Sequence, residues 1–235
     1  MMGLEGGLYG CDDPAYWRAV LNVYQDVVMA KGSKQGKTIS LDKWYQEELP
    51  VAVSGRKDKH LTKEELVRLM EWKLSRGKFR PRLQQLVATN SSEMVESCTR
   101  KAFQLLPDIA AAMTELCKLK AVGPATASAI LTSGAPEAAA FMADEAVESL
   151  PGLVPVQYTL KHYLLYLDGI QSCVKKLNEA DAEQAWTPHR VEMCLWAWAI
   201  GSKLQLPSLQ VLGGEEAKAG DGAGAGRPKK KRKAT

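Results

Sequence analysis

Apolar residues recur at three- and four-residue spacing along nearly the whole chain, and no stretch alternates apolar with polar residues as a half-buried strand would. The pattern predicts an all-α fold. A first helix opens at Asp13 with Pro14 in its first turn, sets Trp17, Val20, Leu21, Tyr24, Val27 and Val28 along one face, and ends at Lys31-Gly32. A mobile basic loop follows, then a short helix from about Leu41 to Glu48 that Pro50 stops. Thr62-Lys63-Glu64-Glu65 forms a capping box for a helix that turns Leu66, Leu69, Met70 and Trp72 inward and closes at Gly77.

Further helices are expected from Pro81 through Val87, from about Glu93 to Leu106, from Asp108 to Leu119, from Pro124 to Thr132, from Ala143 to Leu150, from Tyr158 to Leu177 and from Pro188 to Leu204. The last is apolar almost all round, which predicts a central position. Tyr158, Tyr163 and Tyr166 read as packing residues. Residues 1–212 are thus expected to form one globular body. From residue 213 the sequence is rich in Gly and Ala with no core-forming residues, which predicts a disordered tail over 213–235.

The formal charge of +4 conceals an uneven distribution. Residues 1–212 carry 24 basic and 24 acidic residues, and the surplus lies in the tail. Within the neutral body, residues 54–82 hold ten Lys/Arg against four Asp/Glu, and Arg76, Lys78, Arg80 and Arg82 form a dense cationic turn able to hold a nucleic-acid backbone or simply to be solvated. Trp72 and Phe79 beside it are readable as core residues or as wedges into a duplex. The five cysteines form no CxxC pair or Cys/His cluster and read as reduced core residues; His60, His162 and His189 are isolated, and no metal or cofactor pattern is present. Neither a secretory leader nor a membrane-spanning run is expected.

The most informative stretch is Leu119-Lys120-Ala121-Val122-Gly123-Pro124-Ala125-Thr126-Ala127, followed by Phe141-Met142-Ala143-Asp144. It predicts two helices over 108–132 joined by a tight turn, with Val122 as the plug and Gly123 as a pivot free to take a positive φ. Amides at the start of the second helix, together with Lys120, Val122, Gly123, Pro124, Ala125 and the Thr126 hydroxyl, would then face a phosphate. Such a contact grips backbone and does not read bases. The bland alternative is a helix corner whose glycine only serves close packing. Asp144 likewise has two readings, a carboxylate at a functional site or an acidic residue capping a helix start.

On these residues the region from about 61 to 203 resembles the helix-hairpin-helix DNA glycosylase superfamily, of which endonuclease III is a familiar member. Leu119, Val122, Gly123, Thr126 and Ala127 match the family's hairpin, Gly134 and Pro136 fall in the loop that follows, Asp144 stands near the distance of the catalytic aspartate, and the apolar helix 191–201 resembles the late core helix. The resemblance implies a DNA partner and, for Asp144, stabilisation of positive charge developing on a sugar as a flipped base departs, or orientation of the attacking water. Three departures limit it. Ala125 stands where strand-cleaving members keep a nucleophilic lysine, Ala121 replaces the first turn glycine, and no iron–sulfur cysteines follow the core.

Near the C-terminus Pro228-Lys229-Lys230-Lys231-Arg232-Lys233 resembles a monopartite nuclear import signal, which implies an import receptor as partner and a nuclear location. The sequence therefore points to a nuclear protein that binds DNA backbone without sequence specificity and whose catalysis is lost or unassigned. Two other readings stay open: a protein-interaction scaffold with no DNA role, and a monofunctional DNA glycosylase, without lyase activity, using Asp144.

Overall fold

Asp13 accepts a hydrogen bond from the Ala15 N–H at 2.9 Å, and Pro14 needs none, so helix α1 (Pro14–Asn22) starts where the sequence places it. The computed structural model describes residues 7–32, 36–181 and 185–210, and all regular structure among them is helical. The tail from 211 onward, with the import signal, and the expected loop at 33–35 lie outside the described residues.

The first expected helix is two. Val23, at φ −91° and ψ 4°, separates α1 from α2 (Tyr24–Gly32), and each half buries its own face. Pro50 does not stop the next segment. Helix α3 (Lys37–Lys43), a π turn at Trp44–Glu48 and α4 (Leu49–Ser54) run on through it. Proline has no N–H to reach back four residues, and the widened turn absorbs this: Leu49 donates to the Trp44 carbonyl, five residues back.

The capping box at Thr62 forms as expected, with Glu65 N–H bonded to Thr62 Oγ1 at 3.2 Å and Thr62 N–H to Glu65 Oε2 at 2.9 Å, and it opens α5 (Lys63–Arg76). Then come α6 (Pro81–Val87), α7 (Ser92–Leu105), α8 (Ile109–Leu116), α9 (Pro124–Gly134), α10 (Asp144–Glu148), α11 (Leu160–Ala180) and α12 (Pro188–Lys203). Ser91, Asp108, Thr159 and Thr187 cap the starts of α7, α8, α11 and α12 through their side chains.

Two helices are central. Helix α12 packs on α1, α2, α10 and α11, and α9 packs on α4, α5, α7, α8 and α11. The burial of α9 is not evident from its Ser/Thr-rich sequence. Its small side chains admit close neighbours, and the buried hydroxyls of Ser128, Thr132 and Ser133 are satisfied by donating to the carbonyls of Ala125, Ser128 and Ile130. Cys98, Cys173 and Cys194 are buried free thiols, whereas Cys11 is half-buried and Cys117 exposed, so the all-core expectation fails for those two.

Polar groups also cross the core. Asp42 Oδ1 accepts from Tyr24 Oη at 2.9 Å and Trp72 Nε1 at 3.0 Å, and the Gln46 amide donates to Tyr24 Oη. Gln46 Oε1 lies 2.7 Å from His189 Nε2, which fixes that nitrogen as the donor. Burial, with Arg76 and Arg190 nearby, pushes the His189 imidazole down to about 3, so it is neutral at physiological pH.

The strongest link joins α5 to α12. Arg76 and Glu192, 2% and 1% exposed, form a two-pronged pair with Nη1–Oε1 at 2.6 Å and Nη2–Oε2 at 3.2 Å. The Arg76 guanidinium also lies 4.2 Å from the Trp196 ring and 5.4 Å from each of Trp72 and Phe141. Burial works against charge on both partners. On Arg76 the adjacent carboxylate outweighs it and the guanidinium holds its proton more firmly, while on Glu192 burial wins and its carboxyl titrates above the usual range. Glu192→Leu strands the Arg76 charge and should lower the unfolding free energy in urea by about 3–5 kcal/mol, with Arg76→Met/Glu192→Leu recovering most of the loss. A double variant as unstable as the single would refute this role.

Candidate functional site

A cleft of about 240 Å³ opens where the end of α5, the turn before α9 and the start of α10 meet. Its floor is the buried Arg76, Phe141 and Trp196; Gly77, Lys78, Arg80, Gly123, Pro124 and Tyr158 stand at its rim, and Asp144 lines the wall. The sequence-derived hairpin, cationic turn and aspartate are thus neighbours in space.

The turn at 117–123 is held from both sides. Asn90, between α6 and α7, accepts from the Lys120 N–H at 2.8 Å and donates to its carbonyl at 3.1 Å. Leu119 and Val122 are buried beneath, Val122 as the expected plug. The positive φ falls on Ala121, at 63°, and not on Gly123, whose φ is −103°. An alanine therefore carries a left-handed conformation that glycine would adopt freely, storing about 1–3 kcal/mol of strain. Gly123 needs neither the φ nor the space for itself: a Cβ built there meets nothing within 4 Å. Its outer face is open to solvent, as close approach by a ligand requires.

The donor set at the start of α9 is small. Pro124 has no N–H, and the Thr126 and Ala127 amides are spent on the Gly123 carbonyl at 3.0 and 2.9 Å. The Gly123 and Ala125 amides are in no hydrogen bond among the described residues. Thr126, expected to offer its hydroxyl at the surface, is buried and reaches only the cleft wall. Lys120 is exposed beside the turn.

The four-residue cationic turn divides. Lys78, Arg80 and Arg82 are exposed, and Lys78 and Arg80 line the cleft. Arg76 departs from the expectation of a surface contact: it is in the core, paired with Glu192. Trp72 is also a core residue, stacked on Tyr45 with centroids 3.5 Å apart, whereas Phe79 projects into solvent at 73% exposure.

Asp144 is set by the segment before it. Met142 N–H donates to Ser128 Oγ at 2.9 Å, and the buried Tyr163 and Tyr166 hydroxyls donate to the Ala140 and Phe141 carbonyls. This pins residues 140–142 between α9 and α11. Asp144 makes no cap of the kind its helix-start reading expects; position Ala143 is the N-cap, without a side-chain bond. Its carboxylate instead accepts from Tyr158 Oη at 2.7 Å and pairs with Lys78 Nζ at 2.8 Å. Burial alone would raise its pKa, but those two hydrogen bonds and the Lys78 and Arg80 charges outweigh burial and hold the carboxyl below the usual aspartate value.

Tyr158 is therefore a site residue and not helix packing. Its ring also lies 5.6 Å from the Arg80 guanidinium. It precedes the N-cap Thr159, outside the periodicity that buries Tyr163 and Tyr166, and this offset is the one signal in the sequence that separates it from them. Lys73, three residues before Arg76 on α5, also lines the cleft and was not singled out by any motif.

Among the described residues no helix is long and apolar enough to cross a membrane, and no group of three or more His, Cys, Asp or Glu is arranged to hold a metal. No protein-family model matches the chain, and no curated protein or solved structure is detectably similar to it.

An NMR titration of the Asp144 carboxyl should give a midpoint below that of an ordinary aspartate, and Lys78→Ala and Tyr158→Phe should each move it upward. A midpoint unmoved by both would mean that these contacts do not set its charge.

Proposed function

We propose that this chain is a helix-hairpin-helix protein of the DNA glycosylase type that binds DNA backbone without sequence preference, with the α8–α9 turn and the Lys78–Arg80 rim as its contact surface. One observation carries the reading: the open face of Gly123, the free Gly123 and Ala125 amides, two exposed cations and an ionised aspartate converge on one cleft. Amides and cations are the groups that take phosphate, and neither reads base edges. Lys120 and Arg82, near in sequence to the turn and to Arg80, are exposed as well. The motif at Pro228–Lys233 supports a nuclear location and an import receptor as the protein partner.

A second reading, base excision through Asp144, is favoured by its charge state and surroundings. A carboxylate held below its usual pKa is a weak base but a good counter-charge, so it suits stabilisation of a cationic sugar better than activation of water. Lys78, 68% exposed, neutralises Asp144 in the free protein. A phosphate that draws Lys78 away would restore the negative charge where a nucleotide sits. The rim Tyr158, 41% exposed, offers an aromatic face to a base, as base-flipping pockets do, above the buried Phe141 and Trp196 rings that the Arg76 guanidinium covers.

Duplex affinity of the full chain should fall with salt, and Gly123→Glu should weaken it and flatten the salt slope while leaving thermal stability unchanged, since the added side chain points into open space. Binding equal to wild type would reject the hairpin surface. Product release from damaged-base duplexes that persists in Asp144→Asn would reject the excision reading alone.

A further inference from the structure

The N-terminal segment lies against α11, and its contacts fix its register there. Tyr9 Oη donates to the Gly169 carbonyl at 3.3 Å, and at the far end of the helix Arg18 pairs with Asp181 at 2.6 Å. Between these two points Trp17 Nε1 donates to the Cys11 carbonyl at 2.8 Å, while the Trp17 ring packs edge-on against Trp186, whose own Nε1 donates to Asp181. Gly169, Cys173, Leu177 and the C-cap Asp181 follow at four-residue spacing and form one row along α11. A segment that meets the first and last of this row carries Cys11 past its middle, where Cys173 stands. Cys11 and Cys173 accordingly line one cavity of about 450 Å³, together with Tyr9, Asp12, Lys176 and Leu177. Both are thiols in this structure, Cys11 half-buried and Cys173 buried.

We infer that Cys11 and Cys173 form an intramolecular disulfide when the protein meets a peroxide, so that this cavity is a redox-responsive modification site locking the N-terminal segment to α11. The inference is independent of the DNA reading, since none of the cleft residues takes part in it.

The oxidant is a two-electron peroxide, and the atoms balance. The Cys11 sulfur, as thiolate, attacks one oxygen of hydrogen peroxide, the O–O bond breaks, and a sulfenic acid and hydroxide result; the hydroxide leaves as water with the thiol proton. The Cys173 sulfur then attacks the Cys11 sulfur, the S–O bond breaks, and the departing hydroxyl takes the Cys173 proton as a second water. Overall, two thiols and one peroxide give one disulfide and two waters, and exchange with a dithiol reverses the change. Burial pushes the Cys173 thiol up to about 12, against the pull of Lys176 one turn on, so Cys11, which reaches solvent, meets the peroxide first. Cys194 is also close enough to Cys173 to feel its charge, but it is fully buried, donates to the Trp17 carbonyl at 3.6 Å and does not line the cavity. The new bond closes a loop through most of the chain, which removes entropy from the unfolded state and should raise the thermal midpoint by about 5–15 °C.

The test uses the full chain, reduced, freed of reductant and then exposed to hydrogen peroxide. The intact mass should fall by two hydrogen atoms, digestion without reductant should yield a peptide pair joined through Cys11 and Cys173, and the thermal midpoint should rise and return with dithiothreitol. Cys11→Ser should lose all three effects, while Cys117→Ser, which alters an exposed thiol outside the cavity, should keep them. Cys11 carried to a sulfinic or sulfonic acid with Cys173 still a thiol, a link from Cys173 to Cys194, dimers joined through Cys117 without an internal link, or a link that leaves the midpoint unmoved would each overturn the inference. The wild-type peptide map decides between these outcomes even where a variant melts low.

Discussion

The Arg76–Glu192 pair ties α5 to α12 at the base of the cleft, and the placement of the α5 end that supplies the cationic rim depends on that tie. An isolated charge in such surroundings would cost several kcal/mol, so the pair holds only as a pair, in one geometry. Three aromatic rings around the guanidinium narrow that geometry further. Arg76 ends α5, and the chain leaving it supplies Lys78 and Arg80 to the rim, while Lys73 lies one turn back on the same helix. Nearby, the chain of hydrogen bonds from His189 through Gln46 and Tyr24 to Asp42 and Trp72 holds α2, α3, α5 and α12 in register. Polar groups in the core thus specify the arrangement, and apolar burial spread over the helices supplies the driving force.

Above this floor the site is built from two unlike parts. The α8–α9 turn is rigid: Asn90 holds its backbone, Val122 fills it, and Ala121 accepts a strained φ, a conformation that persists where the surroundings over-determine it. The cover over Asp144 is made from exposed side chains, Lys78 and Tyr158, which can exchange partners at little cost. Under the proposed function, the fixed turn would hold a phosphate backbone while the exchangeable counter-charge leaves Asp144.

How much of this could be read in the sequence depended on how local the cause was. The capping box at Thr62, the Pro-led starts of α1, α6, α9 and α12, and the apolar α12 follow from neighbouring residues and were all legible. The passage of helix through Pro50 was not, because the π turn that permits it depends on hydrogen-bond register and not on composition. Arg76 looked like its neighbours Lys78, Arg80 and Arg82; only a carboxylate 116 residues away distinguishes it. Of the two properties expected of Gly123, the left-handed φ belongs to Ala121 instead, while the lack of a Cβ at 123 does leave a surface open. Tyr158 and Lys73 escaped because their significance arises from the meeting of α5, α9 and α10, which no short motif encodes.

The proposal that turn, cations and carboxylate together meet a nucleic-acid backbone is tested most directly by following backbone amide resonances while a short duplex containing a tetrahydrofuran abasic analogue is added. The account predicts shifts centred on Gly123 and Ala125, continuing through residues 78–82 and reaching Asp144 and Tyr158, with the apolar outer face of α11 around Leu164 and Leu165 unaffected. Saturable binding whose shifts avoid Gly123 and Asp144, or no shifts at all at low salt, would contradict it.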